Sequence, residues 1–290
     1  MARFLFHIIY NFLWLISWLP LRAFYFGSDV LYFFGFYLIR YRREISSKNL
    51  ENSFPAKSPS ELKTISKKFY RYFSDLIVEA VYLIGMKPKE SLKRFRYKNL
   101  SVLEDIYREE KSVILLFPHY GNWEWLANLE LVSPFHFLAI YKPLSSVFFD
   151  NLFKKLRERY GGETVPMNKS LRRILTGMEN KERTITFFLY DQRPRKKELH
   201  HWLSFMNQET PVLLGAEKIA RKTGQTVIFL KTTRLKRGYY ENEFIKICDD
   251  PADLPKFEIT NIYYRLVENL LNEAPEYWLW THNRWKFSRK

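Results

Sequence analysis

The sequence predicts an α/β fold, a mainly parallel sheet flanked by helices, with an apolar helical segment at its N-terminus. Three observations carry this prediction. Short, continuous apolar runs such as Val113–Phe117, Thr184–Tyr190 and Val227–Leu230 read as buried strands. Between them lie longer segments in which apolar residues recur at helical spacing, and this alternation of types is the pattern of a parallel sheet with crossover helices. The first forty or so residues, in contrast, are apolar and aromatic with very few charges.

Residues Phe4 to Leu19 contain no Asp, Glu, Lys or Arg, and Ala23 to Ile39 contain only Asp29, with Pro20 and Arg22 between the two runs. Each run falls a little short of the roughly 20 residues that comfortably cross a bilayer. One spanning helix, a re-entrant hairpin and a helix pair lying in the interface therefore stay open as forms of a membrane anchor over residues 1–43. Arg40, Arg42 and Arg43 follow directly and place the next domain, residues 44–290, on the cytoplasmic side. Trp14, Trp18, Tyr25, Tyr32, Tyr37 and Tyr41 suit an interfacial belt. A cleaved signal peptide fits less well, because the apolar character runs on past any cleavage point. Two core helices of a globular domain would have to explain so many aromatics beside so few polar positions.

Residues 44–60 are polar and carry Pro55 and Pro59, which reads as a boundary. A helix opens at Ser60-Glu61 with Leu62, Ile65, Phe69, Phe73, Leu76, Ile77 and Ala80 on one face. Ser145-Ser146 precede a second amphipathic helix that carries Arg157 and Arg159 and ends at Gly161-Gly162. Leu171 to Met178 forms a shorter one. Thr210-Pro211 reads as the start of a helix that Gly224 closes, and Asn261 to Leu271 as a last one.

The strand Val113–Phe117 runs into Pro118-His119-Tyr120-Gly121-Asn122-Trp123-Glu124. Pro118 stops the strand, Gly121-Asn122 makes a turn, and Asn122 caps a helix starting at Trp123, with Glu124 in its first turn. Within one continuous helix, five residues would turn His119 and Glu124 about 140° apart. A turn between them allows a hydrogen bond that orients the imidazole for proton abstraction. On these eight residues alone, a catalytic pair and a structural histidine beside a capping glutamate are equally good readings.

Composition narrows the partners. Lys and Arg total 47 against 31 Asp and Glu, a formal net charge of +16, and aromatics make up 18% of the chain. This suits work against an anionic surface. Nucleic acid is disfavoured, since no zinc-finger spacing, Arg-rich recognition helix or aromatic RNA-binding signature is present. Cys248 is the one cysteine, so no intrachain disulfide and no cysteine-based metal site can form. No His-Glu-x-x-His pattern occurs, and neither a metal nor a cofactor is expected.

His119-Tyr-Gly-Asn-Trp-Glu124 resembles the His-x-x-x-x-Asp/Glu signature of the lysophospholipid acyltransferase superfamily. The whole chain is similar to its lipid A biosynthesis (lauroyl/myristoyl) acyltransferase branch. Four further segments carry that resemblance: Ser47-Lys48-Asn49-Leu50 with Phe54-Pro55, Arg157-Glu158-Arg159-Tyr160-Gly161, Asp191-Gln192, and Trp280-Thr281-His282-Asn283-Arg284-Trp285-Lys286. The chain departs from the glycerophosphate branch in lacking a Phe-Pro-Glu-Gly-Thr-Arg type of phosphate motif. Its Arg193-Pro194-Arg195-Lys196-Lys197 is more basic than the usual continuation of the Asp-Gln pair.

The resemblance implies transfer of a fatty acyl group to a hydroxyl of a lipid A precursor at the bacterial inner membrane. Acyl carrier protein, or acyl-CoA, is the implied donor and a phosphorylated glycolipid the implied acceptor. His119 is then the general base and Glu124 its orienting partner, with no acyl-enzyme. Backbone N–H groups around Gly121 to Trp123, or Arg157, are the candidate oxyanion donors, with a solvated helix face as the plainer reading of Arg157. Asn122, Arg159, Gln192 and Arg193 complete the expected substrate contacts, and Asp191 is expected to support the site structurally. His282 and Arg284 are expected to tie the C-terminus to the domain. Another hydroxyl-bearing lipid as acceptor, or a non-catalytic basic protein of the membrane surface, are the alternatives.

Overall fold

The computed structural model describes residues 2–287 and 289 of the chain. In chain order, helices α1 (Ala2–Ile16), α2 (Leu21–Phe33), α3 (Arg43–Ser53), α4 (Pro59–Leu83) and α5 (Pro88–Arg94) precede strand β1 (Phe95–Tyr97) and α6 (Ser101–Arg108). Then come β2 (Val113–Phe117), β3 (His136–Tyr141), α7 (Val147–Arg157), β4 (Glu163–Pro166), α8 (Ser170–Glu179) and β5 (Thr184–Leu189). A small hairpin of β6 (Trp202–Phe205) and β7 (Gln208–Pro211) leads to α9 (Gly215–Thr223), β8 (Thr226–Lys236), β9 (Tyr239–Cys248) and α10 (Glu258–Glu273).

The sheet order is β1-β9-β8-β2-β5-β3-β4. Strands β8, β2, β5, β3 and β4 run parallel, as the alternating sequence predicts, while β9 folds back antiparallel to β8 and carries β1 beside it. Central strand β2 is buried at every position, which is why it reads as an unbroken apolar run. Alternate residues leave on opposite faces. Ile114 and Leu116 pack with Phe69 and Tyr72 of α4, Ile219 of α9 and Tyr263 and Val267 of α10. Val113, Leu115 and Phe117 pack with Ile106 of α6, Trp125 and Leu129, and Leu152 and Leu156 of α7. Each fully buried side chain of this kind contributes about 1.5–3 kcal/mol, so both layers hold the sheet strongly.

Helix α4 begins one turn position earlier than its apolar pattern suggests. Ser58 is the cap, joined reciprocally to Glu61, and Pro59 occupies the first helical position, where its missing N–H costs nothing. Residues 44–60 are not a linker. Most of that stretch is helix α3, whose Asn49 donates to the carbonyls of Trp280 and His282 and so binds the C-terminal segment. Thr210-Pro211 likewise ends strand β7 rather than opening a helix, because Thr210 pairs with Leu203 across the hairpin. Helix α9 starts only at Gly215, and Gly224, at a φ of 62°, closes it as expected.

Of the three forms of membrane anchor expected over residues 1–43, the spanning helix is corrected. Among the described residues no helix is long and apolar enough to cross a membrane. The apolar stretch is broken at Ser17–Pro20 into a 15-residue and a 13-residue helix, and Pro20 cannot continue the first ladder of hydrogen bonds. Helix α2 lies on the domain instead: Tyr25 donates to Glu79 at 2.7 Å and Ser28 to Asp75 at 2.6 Å, both on α4. Gly238, in the β8–β9 turn at a φ of 73°, is required there, since a Cβ would sit 2.2 Å from the Tyr25 hydroxyl. Even so, Phe12 on α1, Phe26 and Phe33 on α2, and Trp18 and Leu19 in the break between them stay exposed.

Candidate active site

The site grows out of strand register. Strands β2 and β5 are parallel neighbours with Phe117 opposite Leu189, so two residues further on His119 and Asp191 emerge side by side at the C-terminal ends of both strands. Asp191 Oδ1 accepts from His119 Nδ1 at 2.6 Å, and its Oδ2 accepts the His119 backbone N–H at 3.0 Å and Trp278 Nε1 at 2.6 Å. Burial alone would raise the Asp191 carboxyl. The imidazolium charge and these hydrogen bonds outweigh burial and hold it below the ordinary carboxylate range.

A carboxylate on Nδ1 keeps the proton there and leaves Nε2 with its lone pair. That nitrogen lies 3.2 Å from the Gln192 side-chain amide, which donates to it. The strand-end loop is fixed from behind. Gly121 N–H donates to Tyr277 O at 3.1 Å, Leu279 N–H donates to His119 O at 3.2 Å, and the Tyr72 hydroxyl donates to Gly121 O at 2.6 Å. Gly121 has a φ of 62°, and a Cβ there would meet Thr232 Cγ2 at 2.5 Å. Only glycine makes this turn.

Glu124 does not orient the histidine, which corrects the expected pair. Its Oε1 accepts from Arg157 Nη2 at 2.7 Å and from Trp123 Nε1 at 3.1 Å, and its Oε2 accepts from Arg157 Nε at 3.1 Å. The reason is steric and electrostatic. Residues Trp123–Leu131 form a 3-10 helix that packs beside α7 and so points Glu124 at a guanidinium, while the parallel neighbour strand supplies the carboxylate for His119. Burial would weaken the Arg157 charge, but Glu124 more than compensates, and the guanidinium stays ionised. Arg157 is therefore no solvated surface residue. Trp123 joins the two halves, edge-on to His119 with ring centres 5.0 Å apart.

Asn122 caps the 3-10 helix as expected, with Oδ1 accepting Trp125 N–H at 3.3 Å, and its Nδ2 donates to Glu79 Oε2 at 2.6 Å. Both ends of its amide are committed within the protein. Arg159 is committed too, donating to the carbonyls of Ile84 and Met86 beyond α4. Arg193 lies against the Phe287 ring, and its buried Nη1 has no hydrogen-bond partner among the described residues. Arg195, Lys196 and Lys197 are exposed. Arg284 is fully buried and donates to Pro211 O and the Tyr264 hydroxyl, and so does tie down the C-terminus.

Glu79 and Trp278 are the residues sequence reasoning missed. Glu79 is wholly buried, accepts from Tyr25, Asn122 and Tyr240, and has its carboxyl pushed up by burial. Its signal was a carboxylate inside the otherwise apolar Leu76–Ala80 stretch. Trp278 carried no local signal.

Beside Trp123, whose ring meets that of His119, lies a small apolar cleft with a cavity volume of about 30 Å³. Phe117, Trp123, Phe137, Phe187 and Leu189 line it, with Glu124 and Arg157 as its polar groups. Cys248, at the end of β9, does not line this cleft, and burial pushes its thiol up to about 11. Among the described residues no three His, Cys, Asp or Glu side chains are grouped as metal ligands.

His282 is also close to this centre, accepting the Arg193 N–H at 3.4 Å. Desolvation chiefly, opposed by Asp191 and aided by the charges of His119, Arg284 and Arg193, brings its pKa down to about 4. The unfolded chain then binds more protons than the folded one between about 4 and the ordinary histidine value of about 6.5, so stability falls as pH drops through that window. Urea denaturation at a series of pH values is expected to show this slope, and His282→Gln to flatten it. An unchanged slope in the variant would assign the effect elsewhere.

The fold and site define an α/β protein with a histidine–aspartate pair at adjacent strand ends, beside an apolar cleft. The chain belongs to the bacterial lipid A biosynthesis acyltransferase family, whose model matches residues 1–287, and it is an acyltransferase. It is 22% identical over 251 residues to the lipid A biosynthesis palmitoleoyltransferase of Escherichia coli (strain K12), covering 86% of this chain and 80% of that one. A lipid A biosynthesis acyltransferase of Haemophilus influenzae is 21% identical over 244 residues, 82% of this chain and 74% of the relative. One from Shigella flexneri is 22% identical over 251 residues, again 86% and 80%.

Proposed function

We propose that this enzyme transfers a fatty acyl group from a thioester to a hydroxyl of a lipid A precursor, with His119 as general base and Asp191 as the group that orients it. The observation that carries this reading is the Asp191–His119 pair, which Trp123 joins to the apolar cleft. The Gln192 amide swings off Nε2 as the acceptor hydroxyl takes its place. Nε2 then removes the hydroxyl proton while the oxygen attacks the thioester carbonyl. A C–O bond forms and the C–S bond breaks, and the departing thiolate recovers the proton from Nε2. Asp191 stabilises the imidazolium between these steps.

The developing oxyanion needs donors in a site that excludes water. Gly121 N–H is already bonded to Tyr277 O, which leaves the N–H groups of Asn122 and Trp123 and the Arg157 guanidinium for this task. Glu124 holds Arg157 in place. The apolar cleft takes the first carbons of the acyl chain, and a basic chain of net charge +16 suits an acidic carrier protein as donor and a phosphorylated acceptor. The exposed apolar faces of α1 and α2 seat the enzyme in the interface of the bacterial inner membrane, on its cytoplasmic side, with no helix crossing.

Incubating the purified enzyme with labelled acyl carrier protein and a lipid A precursor is expected to move label onto the lipid. Mass spectrometry of lipids from cells lacking the gene is expected to show a lipid A species one acyl chain lighter. Transfer from neither carrier nor CoA thioester, with an unchanged lipid profile, would overturn the reading.

A further inference from the structure

We propose that a basic groove between α2, α4 and the β8–β9 hairpin binds the phosphate of an anionic bilayer phospholipid. The groove has a volume of about 540 Å³ and brings together Lys68 and Arg71 from α4 with Arg234, Lys236 and Arg237 from the hairpin. Its carboxylates do not neutralise it. Asp75, buried on the floor, accepts from both Arg234 at 2.6 Å and Arg237 at 2.6 Å, and Asp29 shares Arg237 at 2.9 Å. Glu276, 3.7 Å from a largely exposed Lys68, is the third acid. Five cations therefore face three carboxylates.

Arg71 and Lys236 have no carboxylate partner among the described residues and rest on the rings of Tyr32 and Tyr239. Arg234, nine-tenths buried, keeps its Nε without a hydrogen-bond partner. A buried guanidinium N–H left over on Arg234, beside two cations without a carboxylate partner, forms a site for a phosphate, whose oxygens accept several such bonds.

The rim says where that phosphate comes from. Phe26 and Phe33 stand three residues before and four after Asp29 on helix α2, and so share the face that Asp29 turns to the groove. Phe26 is 76% exposed, and Leu235 at the tip of the hairpin is 46% exposed. Aromatic and aliphatic side chains at the rim with cations below them match the boundary of a bilayer, where acyl chains meet headgroup phosphates. A soluble phosphate would gain nothing from this rim.

This inference rests on the interfacial seating proposed above, and the two are separable by experiment. The full-length protein and an Arg71→Gln/Lys236→Gln variant are sedimented with vesicles of phosphatidylcholine alone and with vesicles that also contain phosphatidylglycerol. On neutral vesicles both proteins are expected to bind equally, which reads the seating alone; failure of both there overturns the seating and this inference with it. On anionic vesicles the variant is expected to partition about tenfold or more less well, since each cation near such a surface is worth about fivefold. A Lys218→Gln/Lys222→Gln variant on α9 is expected to lose less. Equal losses in the two variants would mean general charge attraction and overturn the groove. Calorimetric titration with inorganic phosphate alone is expected to show no groove-dependent binding, and submillimolar binding lost in the first variant would make it a free-phosphate site instead.

Discussion

Asp191→Asn is expected to lower the acyl-transfer rate by about 10²–10⁴-fold, close to the loss expected for His119→Ala, because both remove the same general base. An asparagine fits the same space and can still accept the His119 and Trp278 N–H groups. Its amide nitrogen, however, donates where Oδ1 now accepts from Nδ1 at 2.6 Å. The proton then moves to Nε2, and the nitrogen that faces Gln192 loses its lone pair. The fold is expected to remain, so the measurement is kcat at saturating donor alongside a thermal melt. Turnover within a few-fold of the unmodified enzyme, with a normal melt, would remove Asp191 from the mechanism.

The second large effect is on stability. Glu124→Ala is expected to cost about 3 kcal/mol, since it strands the Arg157 guanidinium in a mostly buried position. The two side chains are only 10% and 23% exposed, so little of the pair is screened by solvent. Arg157→Ala should cost a similar amount for the mirror reason. Replacing both with apolar residues, as Glu124→Leu/Arg157→Met, should recover much of the stability while acyl transfer stays lost. Urea denaturation of the three variants measures this directly. Additive losses in the double variant would mean that the two residues do not act as a unit.

The same pair shows what local sequence can and cannot reveal. An apolar strand, a proline stop and a Gly-Asn turn, all of them local signals, mark out His119 and Glu124, and the structure has the strand, the turn and the cap at those residues. Proximity in sequence suggests that the two are partners, but His119 pairs with Asp191 and Glu124 with Arg157. Asp191 lies 72 residues further on, and its approach to His119 depends on β5 pairing with β2 in one parallel register. Side-chain spacing along a chain carries no record of which strands become neighbours.

The basic residues divide for a similar reason. Arg157 and Arg159 leave the same helix end, yet one meets a glutamate in the cleft and the other two backbone carbonyls. Which of them faces a ligand is settled by what lies opposite. The N-terminal runs were legible as apolar and interrupted, and Pro20 marked the break. Their docking on α4 was not legible, because it depends on Asp75 and Glu79, acids that an amphipathic pattern would assign to the solvent face.

Taken by itself, the sequence determined the α/β class, the buried central strand, the caps at Asn122 and Gly224, and the presence of His119 and Asp191 at strand ends. Those features follow from hydrophobic period and turn chemistry, which act over a few residues. The tertiary structure alone decided that Asp191 rather than Glu124 holds the histidine, that Glu124 serves Arg157, and that the apolar N-terminus lies against the domain as two short helices. Each of these is a choice of partner across the fold. Such choices are made by strand order and by the need of every buried charge to find its counterpart.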